Sequence, residues 1–384
     1  ASLERKAPME KDGRIGILGG GQLGRMLIQS ALNLDLTCWV MDPDPAAPCR
    51  WISPSFQVGD FLDHDAVLSF GRQVDRLTIE IETVDTRALR RLEEEGIEVF
   101  PRAEVIEIAQ DKGCQKEFFR RHAIPTAPYH LIESREELQS YAGFVPAIQK
   151  LRRLGYDGRG VYPVRTTADL AGGFDSPSVL ERWIEFEKEI AVIVVRNRQG
   201  EKAMYPPVEM VFVSEANLLD YLVCPAELDP GAVRKAIELA SRVAEELEIV
   251  GVLAVEMFLT SEGELLVNEI APRVHNSGHH TIEGAATSQF EQHLRVVMDW
   301  ALGDPRMVRP AVLVNLLGAP GFQGPPVYQG LTEVLGIPDV HVHLYGKTLT
   351  RPFRKMGHVT VLDEDVDVAL EKARRVRKRL RVVA

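Results

Sequence analysis

Cysteine is sparse in this 384-residue chain. Cys38, Cys49, Cys114 and Cys224 lie far apart with no C-x-x-C pair, which reads as unpaired thiols in a reducing compartment. No apolar run approaches the roughly 18 residues of a membrane span, and the opening residues show no signal-peptide pattern. The expectation is a cytoplasmic protein with no membrane partner, whose residues 1–12 form a polar, flexible extension. Positive charge is also short. Lys and Arg number 45 against 56 Asp and Glu, a net charge of −11, which argues against a nucleic-acid partner. The dense basic run KARRVRKRLR (372–381) carries its charge at helical spacing beside Leu and Val and reads as a solvated helix face. Internal repeats and low-complexity tracts are missing. So are G-x-S-x-G and a cysteine beside a candidate base, which leaves a nucleophilic triad unsupported.

What is present is an α/β alternation. Residues 14–18 and 36–41 read as strands flanking a helix over 22–33, and RLTIEIE (76–82) and IEVFP as further strands around the helix TRALRRLEEE. That pattern predicts a parallel sheet ending near Gln110. Beyond it the pattern changes. A helix, KGCQKEFFRRH, leads through a proline-rich turn to two strand-like runs joined by a glycine-rich loop. The strands VLERWIEF and KEIAVIVVRN follow, then a helix starting at Pro-Gly (LDPGAVRKAIELASRVAEELE). The last 75 or so residues are short strands closed by a helix.

Four stretches carry chemistry. In GGGQLG, Gly19, Gly21 and Gly24 fit the G-x-G-x-x-G dinucleotide fingerprint, with Asp42 downstream as the acidic partner of a ribose. In VLAVEMFLTSEGELLVNEI, two apolar runs meet at Glu262-Gly263. A two-residue turn there would set Glu256 opposite Glu269, with Cβ atoms roughly 5 Å apart. Two carboxylates in an apolar ribbon repel each other and lose hydration, and a hard cation such as Mg²⁺ relieves both costs. KLRRLGYDGRG offers a glycine loop with Lys150, Arg152, Arg153 and Arg159 as positive charge and Asp157 as a base. In NEIAPRVHNSGHH, Arg273, His275 and Asn276 follow the carboxylate pair. The four-residue spacing of His275 and His279 invites zinc, but N-S-G breaks any helix between them, and a polar substrate loop is the better reading. Lys347, Arg351, Arg354 and Lys355 surround a turn that is either an anion site or ordinary surface charge. None of these supplies hydride-transfer machinery.

In order along the chain, GGGQLGRM, TIEIETV, IAQDK, IPTAP, GYDGRG, ERWIEFEKEIAV, VEMF, NEIAPRVHNSGHHT, TSQFEQHLR and RPFRKMGHVT resemble the motifs of carboxyaminoimidazole ribonucleotide synthetases. These are ATP-grasp enzymes of bacterial purine synthesis. The resemblance implies a Rossmann-like N-terminal domain (13–111), a central ATP-grasp domain (112–302) and a small β-rich C-terminal domain (303–384). It implies ATP and Mg²⁺, with Mn²⁺ as a substitute, and a homodimer. Bicarbonate would be phosphorylated to carboxyphosphate, and aminoimidazole ribonucleotide would then take up the carboxyl. Carried onto matching positions, Lys112 and Lys150 face the ATP phosphates, and Glu181, Trp183 and Ile184 the adenine. Glu189 faces the ribose, Asn268 joins the nucleotide set, and Glu256 and Glu269 hold the metal. Tyr156, Asp157 and Arg159 belong to a closing loop, while Arg273, His275 and Asn276 face bicarbonate and imidazole. Gly21, Gln22, Leu23, Glu82, Lys347, Arg354 and Lys355 take the ribonucleotide. In that reading Asp42 turns the D-P-D-P segment rather than gripping a cofactor. Two departures stand out: Leu154 where glycine is usual in the closing loop, and Phe353 where glycine is common before R-K-M-G-H. Rival readings are another ATP-grasp ribonucleotide ligase, against which H-N-S-G-H and R-K-M-G-H speak, and a catalytically silent nucleotide-binding protein.

Overall fold

The computed structural model describes residues 13–153, 160–213 and 218–384. The expected positions Leu154, Tyr156, Asp157 and Arg159, and the extension over 1–12, lie outside them. The N-terminal sheet is parallel throughout, in the order β3 (Ser55–Val58), β2 (Cys38–Asp42), β1 (Ile15–Leu18), β4 (Arg76–Ile79), β5 (Glu98–Phe100). The helix after β1, α1 (Gln22–Asn33), buries Met26, Leu27, Ile28 and Ala31 at helical spacing. The sequence pattern did not reveal β3 or the helix His64–Gly71. β3 is short and only partly buried, so it carries little alternation to read.

A second sheet is antiparallel, in the order β6 (Tyr129–Ile132), β9 (Ser178–Arg182), β7 (Ala147–Leu151), β8 (Val161–Val164). The third and largest contains β10 (Lys188–Arg196), β11 (Lys202–Met204), β12 (Val208–Val213), β13 (Leu218–Cys224), β14 (Gly251–Leu259) and β15 (Leu265–Ala271). Pairing of β13 with β16 (Ala311–Leu317) carries it on into β19 (Lys355–Leu362) and β18 (Val340–Leu344). The C-terminal strands therefore extend the central sheet. A small ribbon of β17 (Val327–Gln329) and β20 (Arg381–Val383) stands beside it.

One buried cluster fixes the N-terminal sheet to the central one. Ile15, Ile17 and Leu27 share it with Ile193, Val195, Phe290, Leu294 and Val297. Within it Thr78 Oγ1 meets His293 Nε2 at 2.7 Å, a buried polar contact across the same junction. The basic run ends the helix Val366–Arg379, which turns Ala369, Ala373 and Val376 inward and its arginines outward.

The β14–β15 hairpin reaches the expected register by a different route. Its loop has three residues, not two. Thr260 N–H donates to the Glu264 carbonyl at 3.0 Å and Gly263 N–H to the Thr260 carbonyl at 2.9 Å, with Gly263 at φ +77°. That loop sets Leu259 opposite Leu265 and Met257 opposite Val267, one residue off the two-residue arithmetic. A β-bulge at Asn268 then inserts an extra residue and restores Glu256 opposite Glu269. The two deviations cancel at the carboxylates. Nothing lies within 4 Å of a Cβ built on Gly263, so only its left-handed backbone needs glycine. Gly263→Ala should therefore lower unfolding free energy by about 1 kcal/mol in urea titration and leave activity intact. A neutral result would show that the loop relaxes to another turn.

Candidate active site

A cleft of about 400 Å³ opens where the N-terminal sheet, the hairpin and the C-terminal strands meet. The first residues of α1 contribute Gln22 and Leu23, and the segment after β4 contributes Glu80 and Glu82. The helix Lys112–Arg121 supplies Lys112, and the hairpin supplies Glu256 and Glu269. The loop after β15 adds Arg273, His275, Asn276 and His279, and the C-terminal strands add Tyr345 and Lys355. Ten of the residues expected from sequence thus line one cavity. Lys150, Glu181, Glu189 and Asn268 connect to it from behind, through the carboxylate–lysine network described next.

The network turns on Glu269. Lys112 pairs with it, and that cation holds the Glu269 carboxyl down to about 2. Glu256, facing Glu269, is pushed well up by burial and by the charges of Glu269 and Glu189. Burial and the charge of Glu269 raise Glu189 to about 7. Behind them Lys150 Nζ donates to Glu181 Oε2 at 3.1 Å and to Asn268 Oδ1 at 3.0 Å. The bulge is what aims Asn268 at this lysine while its neighbour Glu269 meets Lys112, since adjacent strand residues otherwise point to opposite faces.

Sequence reasoning missed Lys116. It is 2% exposed, pairs with Glu181 Oε2 at 3.1 Å and donates to Thr126 Oγ1 at 2.7 Å. Burial lowers its pKa to about 8. Its four-residue spacing from Lys112 on one helix was the available signal. Glu181, expected at the adenine, is held below the usual range by Lys150 and Lys116 against its burial. Trp183, in the linker between β9 and β10, spends its backbone N–H on the Pro146 carbonyl at 3.0 Å; Ile184 follows in the same linker.

Arg152 and Arg153 were read as loop charge toward an anion. Both instead pair with Asp111, Arg152 through two hydrogen bonds of 2.9 and 3.0 Å and Arg153 at 3.4 Å. Asp111 also caps the helix Lys112–Arg121 through the N–H groups of Gly113 and Cys114. The base of the glycine loop is thereby tied to the helix that carries Lys112 and Lys116.

On the opposite wall, Arg273 pairs with Glu82 at 2.8 Å, linking the loop after β15 to the N-terminal sheet. His275 Nδ1 accepts the Ser277 N–H at 3.3 Å, which leaves the proton on Nε2, 3.5 Å from Glu256 Oε1. Burial, Arg273 and Lys355 push its pKa down to about 3, so the ring is neutral at physiological pH. The Asn276 amide is buried with neither its oxygen nor its nitrogen hydrogen-bonded among the described residues.

Three of the expected substrate residues carry hydrogen bonds within the protein. Gly21 has its N–H committed to Glu80 at 2.7 Å. Lys347 Nζ donates to the Lys355 carbonyl at 2.7 Å, and Arg354 to the Leu349 carbonyl at 2.8 Å, so both brace the turn that presents Lys355. Phe353 stands at φ +63°, the left-handed conformation that explains why glycine suits this position. Asp42 accepts from Gly20 N–H at 2.7 Å and from Asp44 N–H at 2.8 Å, making the turn expected of D-P-D-P.

Among the described residues no group of three or more His, Cys, Asp or Glu could hold a metal, so the carboxylates Glu256 and Glu269 offer a cation two protein ligands and leave the rest to a bound phosphate or water. No helix among them is long and apolar enough to cross a membrane.

Comparison with known proteins agrees with this layout. The ribonucleotide synthetase preATP-grasp domain matches residues 12–110, the ATP-grasp domain 117–290, and the phosphoribosylaminoimidazole carboxylase C-terminal domain 311–372. The chain is 40% identical over 91% of its length to the chloroplastic phosphoribosylaminoimidazole carboxylase of Vigna aconitifolia, and spans 64% of that longer protein. It is 36% identical to N5-carboxyaminoimidazole ribonucleotide synthase of Bacillus subtilis (strain 168), covering 92% of each chain. The Aspergillus clavatus N5-carboxyaminoimidazole synthase, solved with ADP and 5-aminoimidazole ribonucleotide, superposes with a TM-score of 0.87 at 33% identity, over 96% of this chain and 98% of that one. A shared three-part architecture and an end-to-end match to the Bacillus protein at this identity place the chain in the N5-carboxyaminoimidazole ribonucleotide synthase family of ATP-grasp ligases.

Proposed function

We propose that the chain uses ATP to carboxylate aminoimidazole ribonucleotide with bicarbonate, through carboxyphosphate, giving the N5-carboxy product, ADP and phosphate in the cytoplasm. The observation that carries this is the facing Glu256–Glu269 pair, flanked by Lys112 and Lys150, in the same cleft as Gln22, Glu82 and Lys355. Phosphoryl transfer requires alignment and charge neutralisation more than covalent help. Lys112 and Lys150 are the cations for the ATP phosphates, with Glu189 toward the ribose and the Trp183–Ile184 linker toward adenine. Glu256 and Glu269 fit a divalent ion such as Mg²⁺, which would neutralise phosphate charge when bound. A neutral His275 with its proton on Nε2 donates a hydrogen bond rather than a charge, suited to orienting bicarbonate. Arg273 and the orphan Asn276 amide complete that wall. Lys355, braced by Lys347 and Arg354, is the anchor for the ribonucleotide phosphate. Carboxyphosphate hydrolyses readily, so water must be kept out while the amine attacks. In this reading Asp157 takes the amine proton, and the working unit is a homodimer.

ADP release measured with each substrate omitted tests the reaction: it should depend on both bicarbonate and the ribonucleotide, and ribonucleotide-independent ADP without carboxylated product overturns the assignment. Glu256→Gln and Glu269→Gln should each cut turnover about 100-fold. Glu256→Gln should at the same time raise the melting temperature of the nucleotide-free protein, because it removes a desolvated, repelled carboxylate. Asp157→Asn should abolish carboxylation, and retained product formation would remove that residue from the mechanism.

A pH signature follows from Glu189. Its folded pKa lies above the ordinary 4.5, at about 7, so the stability it contributes is fully present below 4.5 and is lost as pH rises through about 7. Melting of the nucleotide-free protein across that window should fall less steeply in Glu189→Gln than in the unaltered chain. Parallel profiles would show that no such charge strain is stored there.

A further inference from the structure

Two lysines meet one oxygen of Glu181. Lys150 and Lys116 both place Nζ 3.1 Å from Oε2, and Oε1 makes no hydrogen bond among the described residues. Glu181 is held rigidly, inside its sheet on β9, opposite Tyr129 of β6 and Ile148 of β7, with its side chain 5% exposed. A single buried carboxylate needs a single cation, so the nucleotide-free site carries one ammonium in surplus. That surplus is resisted: burial and the charges of Lys150 and Lys112 oppose the Lys116 ammonium, while Glu181 favours it.

The two lysines differ in what else holds them. Lys116 is 2% exposed, and its other partner, Thr126 Oγ1, is itself tied to the Val267 carbonyl of β15 at 2.7 Å. It therefore pins Glu181 to the helix Lys112–Arg121 and to the strand that carries Glu269. Lys150 is 12% exposed, and its other partner is the neutral Asn268 amide. A phosphate outcompetes a neutral amide for an ammonium, so Lys150 is the lysine that can leave.

We propose that Lys116 is a positioning residue: it keeps Glu181 paired and in place when ATP draws Lys150 to its phosphates. The proposal rests on the roles given above to Glu181 and Lys150. Without Lys116, the departure of Lys150 would strand an ionised carboxylate in the interior, and that carboxylate would hold Lys150 back from the nucleotide. An ionised Glu181 only accepts hydrogen bonds, so its open Oε1 suits the exocyclic amine of adenine and rejects the 6-oxo group of guanine. Lys116 thus serves both the phosphate grip and the choice of base, acting through its two neighbours.

Lys116→Met, Glu181→Gln and the double variant, made in the full chain, test this with the β,γ-methylene analogues of ATP and GTP as probes. In Lys116→Met the Kd for the ATP analogue should rise about tenfold. Its preference over the GTP analogue should shrink, and the KM for aminoimidazole ribonucleotide should stay unchanged. Glu181→Gln removes the charge that Lys116 answers and keeps a carbonyl acceptor, so adding Lys116→Met to it should cost no further affinity. A merely structural lysine would lower the melting temperature with Kd and base preference unmoved, or would cost the same tenfold in the Glu181→Gln background; either result overturns the proposal. If Lys116→Met alone does not fold, the double variant measured against Glu181→Gln decides. Binding of the analogues needs no turnover, so an unaltered protein that binds them without carboxylating would refute the assigned reaction and leave this test standing.

Discussion

Like charges held close together out of water are the constraint on which this architecture depends. Glu189, Glu256 and Glu269 converge on one end of the central sheet, and Coulomb repulsion there is strengthened by burial. Lys112, Lys116 and Lys150 answer it, with Glu181 shared between the last two. The balance is uneven: Glu269 is fully compensated, Glu256 is not. An incompletely neutralised carboxylate is costly to a nucleotide-free fold and useful to one that binds a cation with its phosphates.

Holding that arrangement requires rigid supports on every side. The buried cluster between α1 and the helix Gln289–Val297 locks the N-terminal sheet against the central one. Asp111 ties the base of the glycine loop to the helix bearing the two lysines. Arg273 and Glu82 close the cleft from the other side. Each contact joins elements distant in sequence, so the cleft is a product of packing between layers rather than of any single motif.

The glycine loop shows how a local pattern reports conformation more reliably than ligand. Gly19 needs its positive φ, and close approach at Gly21 and Gly24 excludes a Cβ, as in a dinucleotide site. At Gly21 the approaching group is Glu80 and at Gly24 the Gly19 carbonyl, and no spacing rule within GGGQLG points to Glu80, because it comes just after β4, 56 residues beyond Gly24. The hairpin teaches the complementary lesson. Facing glutamates were legible because strand periodicity is short-ranged. Yet a three-residue loop and a bulge at Asn268 offset each other, and only that cancellation made the simpler turn arithmetic end at the right pair. Lys116 was legible in principle through its helical spacing from Lys112, whereas the pairing of Arg152 and Arg153 with Asp111 was not, since ion-pair partners across 41 residues depend on how the sheet meets the helix.

The sequence by itself determined most of the strands and helices, though not β3 or the helix His64–Gly71, the parallel character of the first sheet, two glutamates on one hairpin, and the family to which its motifs belong. These follow from periodicity, turn chemistry and contiguous signatures, all of which act over a few residues. Only the tertiary structure decided which carboxylate keeps its charge, which lysine answers it, that the C-terminal strands continue the central sheet, and that Glu80 takes the N–H groups of Gly21 and Gly24. Those outcomes depend on burial and on distances between remote segments, and no local pattern encodes either.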